Sequence, residues 1–167
     1  MQNYLSKKLD SDILELMPHN PFDLIINDGF NHYDKKNKTK IWYEPLSKVF
    51  DDVKIEYTNN WWCKIGKSIF CHPSAYSSGT LKTTEKAMQY FNCIDRDYDS
   101  IFMAHTHQQG FTKKGKIYLY EQGTCSDINK MDYMDGRLSM PQQMGFIYVC
   151  QDINGNLIED KTKLISL

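Results

Sequence analysis

Hydrophobic and polar positions alternate with two different periods along this chain, and the change falls near residue 51. Before it, Leu5, Leu9, Ile13 and Leu16 recur at helical spacing across Asn3 to Met17, a stripe that stops at Pro18 because proline lacks the donor that the next turn needs. Pro21 to Ile26 fits a short helix opened by proline or a short buried strand, with helix favoured. Asn27 to Lys40 is polar and lysine-rich and opens on the turn signal Asn27-Asp28-Gly29, so it reads as a loop or insertion. A second short helix is expected over Pro45 to Phe50.

Beyond residue 51 the period becomes two. Val53 to Tyr57, Trp61 to Ile65 and Ser68 to Cys71 run between Asn59-Asn60 and Gly66-Lys67 turns, which predicts a β-meander. Ser78 or Thr80 then caps a helix with Leu81, Thr84, Ala87, Met88 and Phe91 on its inward face. Ile101 to Met103 ends a buried strand bounded by Asp97 to Ser100, and Gly115 to Glu121 forms another that stops at Gln122-Gly123-Thr124. Ser126 to Gln143 reads as an irregular loop, and Gly145 to Cys150 pairs across Asn154-Gly155 with a C-terminal strand. The class is α/β (α+β), with a mainly helical lead-in over 1–50 and a β-rich half over 51–167.

Length and charge narrow the setting. A chain of 167 residues is expected to be a single domain. Lys+Arg 20 against Asp+Glu 21 leaves a formal net charge of -1, so nothing supports binding along a nucleic-acid backbone. The five cysteines show no C-x-x-C pairing, and neither an apolar leader nor a long apolar run is present. Those features predict a reduced, cytoplasmic protein without a membrane partner.

Candidate chemistry centres on Ile101-Phe-Met-Ala-His105-Thr-His107. Side chains at i and i+2 of an extended segment face the same way, so His105 and His107 leave one strand end together. His72 occupies the corresponding place after Cys71, at the end of another apolar strand. If those strands are neighbours, His72, His105 and His107 surround one small volume. Neutral imidazoles there suit zinc, iron, manganese or nickel.

The strand leading to His72, the segment Ala104-His105-Thr106-His107 and the later Glu121-Gln122-Gly123-Thr124 turn, in this order, resemble the C-terminal half of a calcineurin-like metallophosphoesterase. The resemblance covers about Val53 to Val149, with Ala104 in place of the glycine of the family's Gly-His-Thr-His element. It implies the C-terminal part of a two-sheet sandwich flanked by helices. It also implies that His72 and His105 bind one divalent metal of a dinuclear centre (Mn, Zn or Fe) and His107 the other. A bridging hydroxide would then attack a phosphomonoester or phosphodiester in line.

The family's Asp-x-His and Gly-Asp-x-x-Asp elements are absent, and Gly29-Phe-Asn31-His32-Tyr-Asp34 is similar to its Gly-Asn-His-Asp/Glu element only with two interrupting residues. Paired divalent ions need anionic ligands to offset their repulsion. Asp95, Asp97, Asp99, Glu121 and Asp127 are the carboxylates nearest in sequence, and all read as turn residues or solvated charges. The site is therefore expected to be incomplete, and the domain to need a separate polypeptide bearing the N-terminal motifs, or self-association. The alternative is a binding or assembly module that keeps the fold without hydrolysis. A mononuclear three-histidine site fits less well, since no glutamate follows His105-x-His107 closely. Trp61-Trp62 and the methionines at 131, 134, 140 and 144 read as packing.

Overall fold

The computed structural model of the chain describes residues 60–75, 77–94, 96–130 and 142–167, with the backbone of short strands at 24–26, 33–34, 39–40 and 55–57. The helices expected over Asn3 to Met17 and Pro45 to Phe50 lie outside the described residues. β1 (Leu24–Ile26) is a strand rather than the favoured helix, and it runs parallel to β4 (Ile55–Tyr57). Three residues are too few for a periodicity to separate the two states. The stretch read as a loop holds β2 (Tyr33–Asp34) and β3 (Thr39–Lys40), paired antiparallel.

The main sheet has five strands: β5 (Trp62–Ile65), β6 (Ser68–Cys71), β7 (Ser100–Met103), β8 (Gln109–Lys114) and β9 (Ile117–Gln122), in spatial order β5-β6-β7-β9-β8. The expected meander reduces to the β5–β6 hairpin, because β4 joins β1 instead. β6, β7 and β9 are parallel at the centre, and the outer strands are antiparallel to their neighbours. The fold class is thus α/β, with a mixed sheet and a crossover helix, α1 (Lys82–Ile94), between β6 and β7.

Strand alternation gives the sheet two faces. On one, Ile69, Cys71, Ile101, Met103 and Leu119 pack with Ala87 and Phe91 of α1, and each of these seven is under 9% exposed. Trp61 and Trp62 close this core against Phe91, with ring centroids 5.4 and 5.3 Å away. On the other face, registered pairing lines up Phe70, Phe102, Tyr120 and Phe111 across β6, β7, β9 and β8. Their ring centroids are 5.0, 4.9 and 4.7 Å apart in turn. β10 (Gly145–Tyr148) and β11 (Lys163–Ser166) form the expected C-terminal antiparallel pair. A parallel bridge from Thr124 to Met144 carries the end of β9 into β10.

Candidate metal centre

Parallel pairing of β6 with β7 puts Cys71 opposite Met103, so the residues that follow them emerge side by side. The Ala104 N–H donates to the Cys71 carbonyl at 2.9 Å and holds the two exits together, while the His72 N–H donates to the carbonyl of Trp61, beside β5, at 2.7 Å. His72 and His105 therefore meet, with ring centroids 5.1 Å apart and planes at 71°. The third parallel strand brings Glu121 to the same level, opposite Met103. In α/β sheets the carboxyl ends of parallel strands are where ligands bind.

The chain does not leave β7 in an extended form. His105 (φ 78°) and His107 (φ 56°) are both left-handed, a conformation costing a residue with a Cβ about 1–3 kcal/mol. Between them Thr106 turns inward and is only 3% exposed. The His107 carbonyl accepts the Gln143 N–H at 2.8 Å, which clasps the turn to the segment before β10.

Glu121 was expected at the surface and is instead fully buried, because it lies on the helix-facing side of β9. Its Oε1 accepts the Thr84 hydroxyl of the first turn of α1 at 3.1 Å. The first turn of α1 is thus tied to a carboxylate from a distant strand. Burial pushes the Glu121 carboxyl above the usual carboxylate range, while Leu81, Thr84 and Thr106 pull it back. Gln108, 1% exposed, donates through Nε2 to the Ser78 carbonyl at 3.2 Å. Thr106 Oγ1, Gln108 Oε1 and Glu121 Oε2 are buried without a well-formed hydrogen bond. Such orphans gather where a site is left to be completed.

Two imidazoles on one tetrahedral ion place their ring centroids about 5 Å apart, given metal–nitrogen bonds of about 2 Å. The separation of 5.1 Å between His72 and His105 suits that, and imidazole suits the metals concerned. Among the described residues, however, no group of three or more His, Cys, Asp and Glu side chains converges closely enough to hold a metal. The pair fits half of a metal site. Asp99 and Glu121 turn their carboxylates to other structural partners, and Asp127 accepts the Asn129 N–H in an exposed turn. Sequence reasoning did not single out Thr106 or Gln108, and the inward position of Glu121 on β9 was the signal it passed over.

No family model matches the chain, and no curated protein matches it. Among solved structures it is similar to Vps29 from Entamoeba histolytica. A single-mutant crystal structure of that protein shows 13% identity and a TM-score of 0.46, over 95% of this chain and 90% of that one. A double mutant shows 13% identity and a TM-score of 0.43, over 95% and 89%. Among the described residues no helix is long and apolar enough to cross a membrane.

Proposed function

We propose that this chain is a binding or assembly module built on a phosphoesterase-like sheet, without phosphoester hydrolysis of its own. The observation that supports this reading most is the engagement of Glu121. One oxygen of the carboxylate at the end of the third parallel strand, where a dinuclear centre needs a negative ligand, serves Thr84 of the helix entrance instead. The partner is expected to be a separate polypeptide or a second copy of this chain. Assay of the full chain with an aryl phosphate monoester or diester and added manganese is expected to show a folded protein without turnover. Turnover abolished by His105→Ala overturns the proposal.

A second reading rests on the 5.1 Å between His72 and His105. In it the chain supplies ligands to a divalent metal centre of a phosphoesterase, His72 and His105 to one ion and His107 to another. The acidic ligands come from outside the described residues or from the partner. Metal analysis of the full chain is expected to find manganese, zinc or iron, lost in His105→Ala. Equal metal content in that variant rejects the assignment. Sedimentation separates the two partner classes, and a monomer that melts cooperatively unaided needs neither.

A further inference from the structure

A cavity of about 280 Å³ lies where α1 meets Trp61 and the loop that follows His72. Trp61, Pro73, Ala75, Ala87 and Tyr90 give it an apolar lining. The Trp61 and Tyr90 rings, with centroids 5.4 Å apart and planes at 55°, form an angled aromatic wall. Two bonds fix the walls in advance. The His72 N–H donates to the Trp61 carbonyl at 2.7 Å, and the Ser77 N–H donates to the Thr83 hydroxyl at 3.0 Å, which joins the loop to the helix. Lys86 is the one charged residue on the lining.

Lys86, Tyr90 and Ile94 follow one another at i, i+4 spacing and so lie along one face of α1. Lys86 is exposed, and Tyr90 and Ile94 are 47% and 53% exposed. Apolar surface therefore continues from the cavity to the end of the helix. Lys82 and Lys114 both engage Glu85, whereas among the described residues no carboxylate pairs with Lys86.

We propose that this cavity and stripe form a docking site for an acidic, apolar segment of a partner polypeptide. One large apolar side chain fills the cavity, and a neighbouring Asp or Glu pairs with Lys86. The proposal rests on the module reading above and names the chemistry of its partner. Small-molecule pockets run to about 300–1,000 Å³, so a cavity at the foot of that range suits one large side chain better than a whole ligand. The rest of the partner then lies outside it, where Tyr90 and Ile94 offer further apolar area. Aromatic residues in a preformed pocket are the usual anchors of a protein interface. A lone ammonium beside them favours a carboxylate and repels a basic segment.

A display library of short random peptides, screened against the full chain, tests this. Selected peptides are expected to combine a large apolar residue with a nearby Asp or Glu. Synthetic copies are expected to shift the Trp61 indole and Ala87 amide resonances while Leu119 stays in place. Tyr90→Ala and Lys86→Glu, both at exposed positions, are expected to weaken binding about 10-fold each with the melt unchanged, and Lys86→Arg to retain it. Selected peptides without acidic residues, or binding indifferent to Tyr90→Ala and Lys86→Glu, overturn the proposal. A dimer that Tyr90→Ala converts to monomer makes a second copy the occupant and overturns it too. A folded, inactive chain that captures no peptide removes this docking site and leaves the module reading to another surface. A chain that hydrolyses a phosphoester yet binds peptide here removes the non-catalytic reading alone.

Discussion

At the amino ends of β6, β7 and β9 the described buried serines are hydrogen-bonded, whereas toward the carboxyl ends Thr106 Oγ1, Gln108 Oε1 and Glu121 Oε2 lack a well-formed bond. Ser68 and Ser100, both fully buried, join through their hydroxyls at 2.7 Å. Ser100 also donates to Asp99 Oδ1 at 2.7 Å, and Gln151 Nε2 donates to Ser68 at 2.8 Å. Asp99 Oδ2 then takes the Leu157 N–H at 2.7 Å, sealing the C-terminal loop onto the sheet. Its left-handed positions there are glycines, Gly66 and Gly155, which carry no steric penalty. Across the strands, four residues away, left-handed histidines and orphaned oxygens occupy the matching level. One sheet therefore has an end settled for stability and an end held in a costlier state by its neighbours, and departures of the latter kind concentrate where a protein binds.

That contrast can be broken most severely at the settled end. A Cβ on Gly66 would sit 2.7 Å from the Gly155 Cα, at φ +58°. Gly66→Ala is expected to cost about 2–4 kcal/mol in urea denaturation. Asp99→Ala leaves the Leu157 N–H and the Ser100 hydroxyl short of an acceptor, and about 1–3 kcal/mol of lost stability is expected by the same measurement. At the other end the sign reverses: His107→Gly relieves a left-handed residue and is expected to stabilise by about 1 kcal/mol. A loss of stability there would mean that the turn is not strained.

The smallest effect lies between the two ends, on the helix flank. Lys114 and Lys82, 2.7 and 3.1 Å from the Glu85 carboxylate, hold its pKa below the ordinary 4.5. A lowered carboxyl pKa gives stability that is present above the ordinary value and lost as pH falls through the lowered one. Acid titration of the melting temperature is expected to show a slightly shallower fall in Glu85→Gln than in the parent chain.

Elements whose side chains sort cleanly between core and solvent were legible in the sequence. α1 shows this in Ala87 and Phe91, and the apolar runs of β6 and β7 are buried on both faces, at three and four of their four positions. β8 escaped notice because it is an edge strand, and Gln109-Gly-Phe-Thr-Lys-Lys114 has only Phe111 as an apolar signal, itself 43% exposed. The meeting of His72 and His105 followed from two strand ends judged to be neighbours, which the parallel β6–β7 register provides. Alternation from Leu119 places Glu121 on the inward face of β9, but it does not reveal what the carboxylate meets there. Its partner Thr84 lies 37 residues away, and no local period reports a contact made across the sheet. The left-handed backbone at His105 and His107 was equally hidden, since neither residue type demands it.

The aromatic row on the far face of the sheet acts as a registration key. Phe70, Phe102, Tyr120 and Phe111 stand opposite one another on four consecutive strands. Sliding any one strand by a single residue would carry its ring through to the helix side and break every stack it makes. The carboxyl ends of β6, β7 and β9 are level because those rings are level. The spacing of His72, His105 and Glu121 is thus set about two residues upstream, on a surface that never touches them.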